Sequence, residues 1–215
     1  VPQTGDGRLM GGLGGLLLTA QRENPRIVGQ VIELEAGQDI AQAIIENRDS
    51  LASRIRYVGG VRQEGHWTEA TPPSTTSSPW KAGGTYLITG GAGGLGRILA
   101  RRIAAEAKGA TLVLTGRSPS TDALEASFAD IVAAGAMVRY RQLDVGDGAA
   151  VNRLVRQLAA TAGSLHGIVH AAGVLRDSLL VRKTRDELRE VLRAKVAGTL
   201  HLDAGYVARL PAPRL

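Results

Sequence analysis

The segment TGGAGGLG at 89–96 sets Gly91, Gly93 and Gly96 in the spacing G-x-G-x-x-G. An apolar run, TYLI, precedes it, and an amphipathic run, RILARRIAAEAKG, follows. In that setting the backbone amides at the start of a helix can approach a pyrophosphate, and the missing side chains let helix and strand pack closely. The glycine spacing is weak by itself; between a strand and a helix it points to dinucleotide binding. A second cluster, GGLGG at 11–15, has no strand before it and reads as a turn ahead of a helix.

Three further segments could complete such a site. LTGRS places Gly116, Arg117 and Ser118 at the end of a second apolar run, where an NAD site usually carries an Asp or Glu for the ribose 2′-hydroxyl. A guanidinium there can grip a 2′-phosphate at two points, whereas a carboxylate would repel it, so Arg117 favours NADP over a merely surface arginine. LDV brings Asp144 and Val145, with Asp144 either accepting from the adenine amino group or capping a turn. HAAG brings His170, Ala171, Ala172 and Gly173, small residues that leave room for a ribose at the sheet edge; His170 reads as a packed strand residue rather than a catalytic one. Farther on, Lys195 sits beside an apolar stripe of Leu188, Val191, Leu192 and Val196, on a helix that Thr184 and Glu187 open as a capping box. Taken alone, that lysine reads as solvated.

The elements that would hold these residues alternate. TYLITGG, TLVLTGR, MVRYRQLDV and GIVHAAG read as strands, and RILARRIAAEAKG, TDALEASFADIVAAG and GDGAAVNRLVRQLAATAG as helices. Gly109 is expected to cap the first helix at its C-terminus, Thr121 to cap the second at its N-terminus, and Gly135 to follow its end. The strands lack strict alternation, as buried parallel strands do. The fold class is therefore α/β, a doubly wound parallel sheet in the order 3-2-1-4 for these four strands. Upstream, GGLGGLLLTAQREN and DIAQAIIENRDS read as helices, with Asp39 as an N-cap and Ile40, Ile44 and Ile45 at helical spacing. RIVGQVIEL reads as a strand, and SRIRYVGGVRQEGHW as two strands joined by a glycine turn. That is too little for an independent core. ATPPSTTSSP divides the two parts, giving residues 1–69, a linker at 70–81, and 82–205, with 206–215 as an atypical tail.

Composition narrows the function classes. The chain has no cysteine, which excludes disulfides and thiolate metal sites, and no metal site is expected. Its formal charge of +6 comes from arginines scattered beside acids on helical stretches, so solvated faces are expected rather than a nucleic-acid surface. No apolar run is long enough to span a bilayer, and VPQTGDGRLM lacks the regions of a signal peptide. The expectation is a cytoplasmic protein with neither membrane nor nucleic-acid partners.

TYLITGGAGGLGRILARRIA, TLVLTGRS, LDV, GIVHAAGVLRDSLL and LRAKVAGTLHLD, in this order, resemble the ketoreductase domain of modular polyketide synthases, a branch of the short-chain dehydrogenase/reductases. Thr89, Gly90, Gly94 and Gly96 fit that superfamily's T-G-x-x-x-G-x-G signature, and Leu95 lies within it. GLLLTAQRENP, GQVIEL and IRYVGGVR resemble the end of the family's truncated structural subdomain. The resemblance implies NADPH-dependent reduction of a β-ketoacyl thioester, carried on an acyl carrier protein, to the β-hydroxyacyl form. In the family a lysine, a serine, a tyrosine and an asparagine surround the ketone. The tyrosine gives the proton, and the lysine lowers the tyrosine's pKa and holds the nicotinamide ribose. The family's LRxKVxGxxxL helix puts that lysine at Lys195. Asp177 in GVLRDS matches the last aspartate of the Leu-Asp-Asp pattern of B-type members, but Arg176 holds the middle place, and a turn or capping role for Asp177 stands beside that reading.

The resemblance stops near Gly205. The family's serine-bearing strand and its Tyr-x-x-x-Asn helix should follow Lys195; Tyr206 comes too early and has Leu210 at its fourth place. A truncation, a shifted frame, or a domain completed by another polypeptide would each give this pattern. The expectation is a cofactor-binding half, inactive and only marginally stable by itself, that works with the remaining synthase domains or a complementary chain. The alternative is a non-catalytic NADP-binding or scaffolding module of a synthase.

Overall fold

The computed structural model describes residues 11–71, 78–161 and 165–207. Half of the expected linker, residues 72–77, and most of the expected tail, 208–215, lie outside them. The chain divides into two compact units, 1–74 with 178–183, and 75–177 with 184–215.

The first unit opens with helix α1 (Leu13–Glu23), so Gly14 and Gly15 lie in its first turn rather than ahead of it. Strand β1 (Val31–Glu33) is shorter than RIVGQVIEL suggests; Gly29, ahead of it, packs so closely on Leu17 of α1 that a side chain there would collide. Helix α2 (Ile40–Asn47) starts at Asp39, whose carboxylate accepts from the Ala41 and Gln42 amides. Strands β2 (Arg54–Val58) and β3 (Val61–Glu64) form a hairpin around Gly59 and Gly60, both at positive φ, as a tight two-residue turn requires. The sheet order is β1-β2-β3, with β1 and β2 parallel. Its small core is Ala43, Ile55 and Tyr57. Helix α2 turns Ala43 and Asn47 inward and leaves Ile40, Ile44 and Ile45 exposed. Residues 178–183 join this unit through a 3₁₀ turn at Leu180–Arg182, and the Leu180 amide donates to the Glu23 carboxylate.

The second unit carries the parallel sheet. Strands β4 (Thr85–Thr89), β5 (Thr111–Gly116), β6 (Met137–Gln142) and β7 (Gly167–His170) stand in the order β6-β5-β4-β7, all parallel. This is the 3-2-1-4 order expected from the alternation of strand and helix. Helix α3 (Gly94–Glu106) follows β4, and α4 (Asp122–Ala126) and α5 (Ala129–Ala133) follow β5. Helix α6 (Gly148–Thr161) follows β6, and α7 (Arg185–Leu192) and α8 (Gly198–Val207) come after β7. Alternate strand residues enter opposite layers. Tyr86, Ile88, Leu112 and Leu114 pack with Ile103, Phe128 and Ile131 on one face. Leu87 and Val113 pack with Val145, Val151, Val155 and Leu202 on the other. Both faces of the central strands are covered, which is why β4 and β5 are apolar without alternation.

Three local expectations are corrected. Helix α3 ends at Glu106, three residues before Gly109, with Ala107 as its C-cap. The single helix expected over 121–135 is two, because Phe128 tucks into the core beside Tyr140, while Ser127 gives its hydroxyl proton to the Leu124 carbonyl and its own carbonyl to Arg97. The helix bearing Lys195 is not continuous: a π-helical turn at Arg193–Ala197 separates α7 from α8.

Candidate nucleotide site

The glycine loop leaves β4 at its carboxyl end. Thr89 is buried, and Gly90 takes φ +66 with no space for a side chain, since a Cβ would meet the Ala171 backbone at 2.7 Å. A Cβ at Gly91 would lie 2.7 Å from that of Leu114, and one at Gly96 would run into the Gly90 carbonyl. Gly93 is the N-cap of α3, with no side chain to satisfy the first amides. Gly94 differs from its neighbours: a Cβ there would meet nothing within 4 Å. The loop thus closes tightly on the sheet side and stays open on the solvent side, with the positive end of α3 aimed outward.

A cavity of about 400 Å³ lies at the carboxyl ends of the strands. Gly90, Ala92 and Gly93 form one wall, and Gly116, Arg117 and Ser118 a second. Leu143, Asp144 and Val145 line it beyond the end of β6, and Ala171, Ala172 and Gly173 beyond β7. Of the residues singled out in the sequence, Gly90, Gly93, Gly116, Arg117, Ser118, Asp144, Val145, Ala171, Ala172 and Gly173 meet there. Thr89, Gly91, Gly94, Leu95, Gly96, His170, Asp177 and Lys195 are not in the lining. Leu95 is exposed, and so is Asp177.

Several contacts position the lining. The Tyr140 hydroxyl donates to the Ser118 carbonyl at 2.9 Å and passes so close to Gly116 that a Cβ there would lie 2.7 Å from it. Burial holds the Tyr140 phenol above its ordinary pKa, so it stays a donor. Asp144 accepts from the Gly146 amide with one oxygen and from the Arg193 guanidinium with the other, both at 2.8 Å. The turn-capping arrangement is therefore present, and the same carboxylate lines the cavity.

Lys195 reaches the site from the π turn. A Cβ at Gly173 would lie 2.8 Å from its Cε and 2.9 Å from its Nζ, so the ammonium end rests against the Gly173 backbone. The turn is braced from the sheet. His170 Nε2 lies 3.0 Å from the Ala194 carbonyl, and Nδ1 lies 2.6 Å from Thr89 Oγ1. The carbonyl can only accept, so Nε2 carries the proton and Nδ1 accepts from the threonine hydroxyl. The ring thereby ties the ends of β4 and β7 to the residue preceding Lys195.

Arg193, Glu190, Tyr140 and Leu124 also line the cavity, and none is evident from sequence. Arg193 and Glu190 are charged residues on an amphipathic helix and look solvated until the turn of chain after β7 brings them to Asp144 and Arg117. Among the described residues no group of His, Asp and Glu is placed to hold a metal ion, and no helix is long and apolar enough to cross a membrane.

A family model described as the KR domain matches residues 84–208. Polyketide synthase PksN of Bacillus subtilis (strain 168) is 41% identical over 203 residues, 93% of this chain and 4% of that protein. Polyketide synthase PksL of the same organism is 39% identical over 208 residues, 94% of this chain and 5% of that protein. A solved ketoreductase domain from the bacillaene assembly line superposes with a TM-score of 0.88 at 37% identity, covering 96% of this chain and 50% of that one. An N-terminal ketoreductase from the macrolactin assembly line superposes at 0.75 and 30% identity, covering 91% and 40%.

Proposed function

Because this chain belongs to the KR domain family, the ketoreductases of polyketide synthases, we propose that its cavity binds NADPH for the reduction of a β-ketoacyl thioester carried on an acyl carrier protein. Family membership implies a nicotinamide cofactor and an oxidoreductase fold, and relatives of this chain are parts of multidomain synthases. The observation that carries the finer reading is the pairing of an open helix N-terminus at Gly93 and Gly94 with Arg117 across the same cavity. The amides of α3 suit a pyrophosphate, and the exposed Arg117 fork with Ser118 suits a 2′-phosphate.

The residues divide the work by position. Gly90, Gly91 and Gly96 keep the loop tight, and Thr89 supports it through His170. Gly94 and Leu95 carry the first turn of α3. Asp144 and Val145 border the adenine end, and Ala171, Ala172 and Gly173 border the ribose end, where small side chains leave room. When bound, NADPH supplies the hydride for the ketone. Lys195, resting on Gly173, holds the nicotinamide ribose and favours the ionised form of a neighbouring acid by its charge.

Each of the four tyrosines is engaged by other groups. Tyr140 is committed to Ser118, Tyr57 to Glu46 in the first unit, and Tyr206 packs against the second core cluster. Tyr86 accepts from the Lys81 amide. On this reading the proton donor is supplied by another segment of a complete ketoreductase, with these 215 residues as the cofactor-binding part. The same observation favours, for the chain by itself, the second reading of a module that binds NADP without turnover. Titration calorimetry of the chain tests the cofactor assignment. NADPH uptake with much weaker NADH uptake is expected; no uptake of either would end the proposal.

A further inference from the structure

Arg117 does not face the cavity alone. Glu190 of α7 lines the same cavity, and its Oε1 lies 3.9 Å from Arg117 Nη1. A carboxylate so placed competes with a ribose 2′-phosphate for the guanidinium and repels the phosphate directly. It is also the group that, in an NAD site, accepts from the ribose 2′-hydroxyl. Glu190 is held back from that role. Arg176, in the loop after β7, donates from Nε to Glu190 Oε2 at 2.8 Å and from Nη2 to Oε1 at 2.9 Å. Both carboxylate oxygens are thus gripped in the two-point geometry that guanidinium favours. Arg117 is left with a contact too long to be a hydrogen bond and with its side chain 63% exposed.

We infer that Arg176 is a specificity-determining residue for the cofactor: its grip on Glu190 keeps the Arg117 fork available to a 2′-phosphate. The inference rests on the NADPH reading above. Without Arg176, Glu190 pairs with Arg117 and turns that wall of the cavity from phosphate-binding toward hydroxyl-binding. Arg176 itself is absent from the cavity lining, so it acts through Glu190 rather than on the cofactor. The ion pair is partly solvated, with side chains 44% and 37% exposed, which limits the effect to a modest factor.

The test is titration calorimetry of the 215-residue chain with NADPH and with NADH, for the wild type, Arg176→Ala and the double variant Arg176→Ala/Glu190→Gln. Arg176 is exposed, so the fold is expected to persist, and circular dichroism verifies it for each variant. Arg176→Ala is expected to lower the ratio of NADPH to NADH affinity about fivefold, and removing the Glu190 charge in that background should return most of it. An unchanged ratio in Arg176→Ala overturns the inference. So does a double variant that stays as low as the single one, since Arg176 would then be acting through its own charge. If the wild type takes up neither nucleotide, or both alike, the cofactor reading itself fails, and it fails before any variant is compared.

Discussion

Gly94 and Gly96 stand two residues apart in one helical turn and are glycines for opposite reasons. Gly96 is buried where a side chain would strike the Gly90 carbonyl, so Gly96→Ala must move backbone and should cost about 1–3 kcal/mol of stability. Gly94 has open space around its Cβ position, so Gly94→Ala should leave stability unchanged or raise it by up to about 1 kcal/mol through helix propensity. The added methyl would, however, stand in front of the amides proposed to take the pyrophosphate. Thermal melting with NADPH titration separates the two. Gly96→Ala should melt earlier; Gly94→Ala should melt normally yet lose NADPH affinity. Equal behaviour of the pair would mean that the loop is a packing device with no ligand. The sequence marks both positions with the same letter, and only the surroundings of each Cβ tell them apart. Arg117 and Lys195 were likewise legible as candidates, whereas Glu190 and Arg193 were not, because their partners lie far away along the chain.

At the level of elements, the strands of the parallel sheet and the helix N-caps were the readable part. Asp39, Thr121 and the Thr184–Glu187 box all act as the local pattern indicates, since a cap is decided within a few residues. The π turn at Lys195 was not readable. The Ala194 carbonyl within it meets His170, which comes from a strand 24 residues earlier. In the first unit, tertiary contacts also overrule pattern. Helix α2 buries Asn47 instead of its isoleucines, and Asn47 donates to Tyr57 and accepts from Arg62. The Tyr57 hydroxyl in turn donates to Glu46. The hydrogen bond from Gln42, then that from Tyr57, holds the Glu46 carboxyl below its ordinary value of 4.5. A depressed carboxyl stabilises the fold above the unfolded value and loses that contribution as pH falls below 4.5. Burial, then the bond to Glu46, raises the Tyr57 phenol above 10, so its contribution is complete below that pH and is lost as pH rises further. Melting temperature against pH should therefore fall on both sides. Glu46→Gln should flatten the acid side in part, since Glu106 and Asp147 are also depressed. Tyr57→Phe should flatten the alkaline side in part, since Tyr140 is also raised. Acid and alkaline limbs identical to the wild type in both variants would remove this network from the stability of the unit.

For the whole molecule, the question is what the described residues leave to be supplied. Strand β7 pairs only with β4, so its other edge is open among the described residues, beside a cleft of Ile168, Leu202 and Tyr206. An unpaired edge with apolar neighbours is a template for another strand. The solved bacillaene ketoreductase is about twice as long as the part matched here. A further strand at that edge would close the sheet, and an acid brought to Lys195 would supply the proton; the two are separable by experiment. A positioned general acid contributes about 10²–10⁴-fold to such a reaction. The chain alone is accordingly expected to bind NADPH without oxidising it when offered a β-ketoacyl thioester, and to associate with itself as concentration rises. Co-production with the remaining half of a related ketoreductase domain should suppress self-association and give ketone-dependent NADPH oxidation. Lys195→Ala in that assembly should abolish turnover while sheet closure, read by light scattering, is retained. Turnover by the monomeric chain would show that it already holds a proton donor. Closure without turnover would leave it a cofactor-binding scaffold. Turnover indifferent to Lys195 would move the catalytic lysine elsewhere.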